Sequence, residues 1–136
     1  KTRVRINSPE FFSARMDIVP WHQGACGNPT EVETFNFALA GNGIKELTLS
    51  DVVPNESERT ELLWRAFKKI RSELRDKLLA DITEPAFKEN CLGGDGYLKY
   101  AKFTLAENGM EIIFPSGLLT SRGIGPLSAF VEICNK

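Results

Sequence analysis

The sequence has no apolar run of about 18 residues or more, so no segment of it reads as a bilayer-spanning helix. It has no excess of either charge. Seventeen Lys and Arg stand against eighteen Asp and Glu, a formal net charge of −1, which excludes the basic surface that generic binding to nucleic acid or anionic membrane requires. Cysteine is scarce and scattered: Cys26, Cys91 and Cys134 lack the close pairing of a zinc site, and no Cys-x-x-Cys redox motif occurs. Histidine occurs once, as His22. Gly93-Gly94-Asp95-Gly96 lacks both the Gly-Lys-Ser/Thr ending of a phosphate loop and the spaced acidic ligands of an EF-hand, and reads as a turn. No metal or cofactor is implied. The opening Lys1-Thr2-Arg3-Val4-Arg5-Ile6 lacks the apolar stretch of a signal peptide and reads as a strand.

What is present is enough apolar material, 42% of 136 residues, for one ordinary core and a single domain over 1–136. Phe11 to Trp21 favours an extended path, and His22 to Thr30, with two glycines, Asn28 and Pro29, reads as a loop. From Glu31 to Leu39 the residues alternate, with Phe35, Phe37 and Leu39 on one face and Thr34, Asn36 and Ala38 on the other. That is a half-buried strand, with the phenylalanines expected in the core. Gly41-Asn42-Gly43 supplies a tight turn, and Ile44, Leu47 and Leu49 continue as a short strand.

Leu63, Phe67, Ile70, Leu74 and Leu78 then recur at helical spacing, predicting one amphipathic helix from about Glu56 to Ile82 with its N-terminus capped by Asn55 or Ser57. Its other face carries Lys68, Lys69, Arg71, Arg75 and Lys77 interleaved with Glu73 and Asp76, and reads as a solvated surface. Thr83 to Gly96 reads as a connector. Ala101, Phe103 and Leu105 alternate outward from Tyr97, Asn108-Gly109 turns the chain, and Met110, Ile112 and Phe114 line the return strand. A long connection, Pro115 to Pro126, leads to a last apolar strand, Leu127 to Cys134. The order predicts an α+β fold: antiparallel strands with one long amphipathic helix packed on the sheet.

Gly24-Ala25-Cys26-Gly27-Asn28, Asn36-Phe37-Ala38-Leu39, Gly41-Asn42-Gly43 and Leu47-Thr48-Leu49-Ser50-Asp51 follow one another in the order found in the DUF3298 family of bacterial envelope domains. In its second half the chain is similar to that family through Lys102-Phe103-Thr104-Leu105, the Asn-Gly turn and Ile112-Ile113-Phe114-Pro115. The resemblance spans roughly residues 12 to 134. The chain departs from the pattern at Cys26, where the family carries histidine, and at Ser116 to Pro126, which replaces a Tyr- and Ala-rich segment. The resemblance implies a domain outside the cytoplasmic membrane, periplasmic or at the cell surface, that binds rather than catalyses. The partner it implies is a lysozyme-like protein or a peptidoglycan component, since the family includes the lysozyme-sensing part of an anti-sigma factor and companions of peptidoglycan deacetylases. Two other functions stand beside it: a wall-modifying hydrolase and a structural accessory domain of a larger envelope protein.

The candidate binding residues lie in two loops. His22, Gly24, Cys26, Gly27 and Asn28 form the first, where glycine allows backbone paths that a side chain would obstruct. Arg122, in the second, could present its guanidinium to an anionic or carboxylate partner. A His22–Cys26 nucleophile–base couple is geometrically free, because both sit in one loop, and is the weaker reading. Asp17, Glu31, Glu33, Asp51 and Asp95 are candidate acid–base groups, with Asp51 better read as ordering the turn into the helix. Among the cysteines, a Cys91–Cys134 bond would staple the C-terminal strands, closing a loop of about 44 residues worth roughly 4 kcal/mol in the chain-entropy model. Cys26–Cys91 and Cys26–Cys134 are the alternatives.

Overall fold

The computed structural model describes residues 2–7, 10–18, 31–41, 43–74, 77–92, 96–119 and 125–132, with the backbone alone at 2–7, 40, 77 and 78. Strands β1 (Thr2–Asn7), β2 (Phe11–Ile18), β3 (Glu31–Ala40) and β4 (Gly43–Glu46) form an antiparallel four-stranded sheet in the order β1-β2-β3-β4. Strands β5 (Lys102–Ala106), β6 (Gly109–Phe114) and β7 (Leu127–Glu132) form an antiparallel three-stranded sheet in the order β5-β6-β7. Between the two groups run α1 (Leu49–Val52), α2 (Glu56–Leu74), α3 (Lys77–Ala80), α4 (Glu84–Cys91) and α5 (Tyr97–Tyr100). The α+β class and the long helix on a sheet are as the sequence predicts.

The helix α2 begins where Asn55 Oδ1 accepts the Glu58 N–H at 3.2 Å, satisfying one of the free donors of the first turn. Its inner stripe (Leu63, Phe67 and Ile70 among others) packs on Phe103, Met110, Ile112, Phe114, Ala129 and Val131, which alternate along the three-stranded sheet. Phe67 and Phe87 touch with ring centroids 4.6 Å apart, and Trp64, buried, completes the aromatic cluster. Among the described residues, this core cluster takes none from the four-stranded sheet.

Several boundaries differ from the sequence reading. Of the predicted helix from Glu56 to Ile82, Glu56–Leu74 and Lys77–Ala80 are helical, residues 75 and 76 lie outside the described set, and the helical residues end at Ala80. Leu74 is 42% exposed and outside the core, and the Leu78 side chain is outside the described set. The connector from Thr83 contains α4, capped by the Thr83 hydroxyl, which accepts the Ala86 N–H; its single turn-and-a-half apolar stripe, Phe87 and Cys91, is too short to stand out against the flanking glycines. Tyr97 opens α5 rather than a strand. Leu49 belongs to α1, because Thr48 and Asp51 form a capping box there: the Asp51 carboxylate accepts the Thr48 N–H at 2.8 Å and Thr48 Oγ1 accepts the Asp51 N–H at 3.3 Å. Asp51 therefore orders a helix start, but one element earlier than expected. The β5–β6 turn is Glu107-Asn108, with Gly109 the first residue of β6. A Cβ on Gly109 would lie 2.3 Å from the Val131 carbonyl oxygen, so glycine is required there by the closeness of β7.

Candidate functional site

The four-stranded sheet is turned the opposite way to the sequence expectation. Asn36, on the polar face of β3, is 4% exposed, and Val32 on that face is buried too; Phe35 and Leu39, on the phenylalanine face, are 37% and 54% exposed. A period of two identifies two faces but not which one points inward. The decision is made by β5, the edge strand of the smaller sheet, which leaves backbone groups unpaired by β6.

Ser13 and Asn36, opposite each other on β2 and β3, satisfy those groups. The Leu105 N–H donates to Ser13 Oγ at 2.7 Å; the Ser13 hydroxyl donates to Asn36 Oδ1 at 2.6 Å; Asn36 Nδ2 donates to the Phe103 carbonyl at 2.8 Å. The edge of one sheet is thus capped by side chains from the face of the other. Next to this ring Arg15, buried, reaches across the second face of the smaller sheet. Its Nη1 donates to Glu111 Oε2 at 2.8 Å and to Ser128 Oγ at 3.3 Å, while Nε donates to Asp17 Oδ1 at 2.7 Å. Glu111 also accepts the Thr104 and Ser128 hydroxyls. Lys102 Nζ donates to the Val32 carbonyl at 2.7 Å and pairs with Glu33 at 3.6 Å. The inward face needs these polar residues because its counterpart is a strand edge and a polar sheet face.

The outward face carries Phe12, Ala14, Met16 and Ile18 on β2, opposite Phe37, Phe35, Glu33 and Glu31 on β3, and Ile44 and Glu46 on β4, opposite Leu39 and Phe37. Ile44 is 71% exposed, and Phe12, Met16 and Phe37 are half-buried. Ala14 is buried between its larger neighbours. Scattered exposed apolar side chains are ordinary; a contiguous group on one face of a sheet, opposite a polar buried face, is not.

The basic side of α2 has a structural employment beyond the solvated surface expected of it. Arg65 Nη2 and Lys69 Nζ donate to the Glu132 and Phe130 carbonyls of β7 at 2.9 and 2.6 Å. Arg71 donates to the Ile82 carbonyl and lies 5.2 Å from the Trp64 ring centroid, and Lys68 also stands over that ring. These cations face β7 carbonyls and aromatic rings.

Of the loop residues named from the sequence, His22, Gly24, Cys26, Gly27, Asn28 and Arg122 lie outside the described residues, as do Trp21, Asp95 and Cys134. Segment 19–30 joins Ile18 to Glu31, which are cross-strand partners at one end of the outward face. Cys91 is a free, buried thiol, and its proposed partner Cys134 is among the residues outside the described set. Burial pushes the thiol up to about 12, with the nearby Lys88 opposing. The Asp51 carboxyl is held below its ordinary value by its bond to the Thr48 backbone. Ser13, Arg15 and Asn36 were not legible as a group, since only the strand pairing brings them together. No protein-family model, curated protein or solved structure matches this chain.

Proposed function

We propose that this chain is a non-enzymatic binding module of the bacterial envelope and that it meets a partner through the outward face of its four-stranded sheet. The observation that carries the reading is the inverted sheet. Ser13, Arg15 and Asn36 are buried, while Ile18, Phe35, Leu39 and Ile44 stand exposed on the far side. Taking such a side chain from full exposure to full burial is worth about 1.5–3 kcal/mol, and docking would recover only the part that the remaining exposure of each leaves. The extracytoplasmic setting, and a lysozyme-like protein or a peptidoglycan component as partner, rest on the resemblance to DUF3298 domains. The loop residues Gly24 to Asn28 are kept as candidate contacts on sequence grounds alone.

The test is co-elution with hen-type lysozyme, together with residual muramidase activity, and in parallel pull-down on purified peptidoglycan. The wild-type chain is expected to bind one of the two, and the Leu39→Lys/Ile44→Lys double variant to lose that binding while keeping its fold. Failure of both partners would remove the envelope partners named here. Binding untouched by the double variant would move the site off this face.

A further inference from the structure

We infer that the outward face of the four-stranded sheet takes a protein partner that presents an apolar strip flanked by lysine or arginine. This rests on the reading of that face as a docking surface and adds the chemistry of its occupant. The described charges on the face are all carboxylates: Glu31 and Glu33 border the apolar group at the start of β3, and Glu46 borders it on β4 beside Phe37. Glu33 is matched by Lys102 at 3.6 Å. Glu31 and Glu46 are exposed, with no ion-pair partner among the described residues. Lys45, the cation nearest in sequence, alternates to the other face of β4 and pairs with Asp51 at 3.6 Å.

The charge pattern discriminates between occupants. A second copy of this chain would bring the same carboxylates to the interface with no cation among the described residues of this face to meet them, and like charges across an interface oppose association. An anionic lipid surface is repelled for the same reason. A partner with cations beside an apolar strip is attracted at long range by Glu31 and Glu46 and then buries Phe35, Phe37, Leu39 and Ile44. Glu31 and Glu33 mark one end of the group and Glu46 one side of it, so the apolar pairs around Phe35 and Phe37 have carboxylates on two of their borders, as a polar rim requires.

Two synthetic peptides test this without reference to lysozyme or peptidoglycan. Each carries the same strand of alternating Val and Phe, flanked by Lys in one and by Glu in the other. They are titrated into the isotope-labelled full chain and followed by amide NMR. The Lys peptide is expected to bind about tenfold more tightly than the Glu peptide, an advantage that shrinks with added salt, and to shift signals of β2, β3 and β4. The Glu31→Lys/Glu46→Lys variant should reverse the preference. Equal affinities, shifts confined to α2, or no response to either peptide would overturn the proposal. Preference for the Lys peptide on this face supports it whether or not lysozyme binds, so loss of the named envelope partners and loss of this chemistry are separate results.

Discussion

Asn36 holds a position where one amide decides the orientation of a sheet. Its carbonyl oxygen accepts from Ser13 and its NH2 group donates to the Phe103 carbonyl, so both ends of the amide are used between two buried elements. Replacing it with Ala leaves a buried hydroxyl without its acceptor and a strand-edge carbonyl without its donor. We predict that Asn36→Ala costs about 1–3 kcal/mol in urea unfolding, while Leu39→Ala, on the exposed face of the same strand, stays within about 0.5 kcal/mol. Cys91 gives a second prediction. Its thiol keeps its proton in the folded chain up to about 12 against an ordinary value of 9.0, so between those pH values the folded state holds a proton that the unfolded chain has released. Stability therefore falls as pH rises from about 9 toward 12, by up to about 1.4 kcal/mol per pH unit. Tyr97, raised by the same burial, adds to the slope. In Cys91→Ala the alkaline slope should become shallower; an unchanged slope would mean that the thiol ionises as freely in the folded state as in the unfolded one.

Elements show what a single sequence does and does not reveal. The stripe Leu63, Phe67 and Ile70 was readable because helical spacing repeats and because a helix has one buried side, and the structure buries all three. Phe67→Ala is expected to cost about 3–5 kcal/mol, against a near-neutral Lys68→Ala, by the shift of denaturant midpoint. The alternation of Met110, Ile112 and Phe114 was equally legible, and all three are fully buried. Failure came where local pattern is silent. α4 offers only Phe87 and Cys91 as an inward stripe, too few positions to establish a period. α1 depends on a capping box at Thr48 and Asp51 that looked like the end of a strand. In β3 the phenylalanine face was assigned to the core because aromatic residues usually go there. What overrode that preference was a long-range fact, the unpaired edge of β5 lying against Ser13 and Asn36. The candidate surface was consequently invisible from the sequence, although the alternation did group Phe35, Phe37 and Leu39 on one face of β3. The loop residues His22 to Asn28 and Arg122 stand as sequence expectations outside the described residues.

At the scale of the molecule, the helices cover one face of the three-stranded sheet and the four-stranded sheet lies against β5 and the other face. The long helix also guards β7, where Arg65 and Lys69 donate to its carbonyls and occupy acceptors that a foreign strand could otherwise use. The far side of the four-stranded sheet is different: Ile18, Phe35, Leu39 and Ile44 are left to solvent. The proposed binding surface depends on that asymmetry. Hydroxyl-radical footprinting of the folded chain, read by mass spectrometry, tests it directly and needs no partner. Rapid oxidation is expected at Phe35, Leu39 and Ile44, and slow oxidation at Phe67, Met110 and Phe114. Protection of Phe35 and Leu39 equal to that of Phe114 would mean that the aromatic face is turned inward, and the docking surface would not exist.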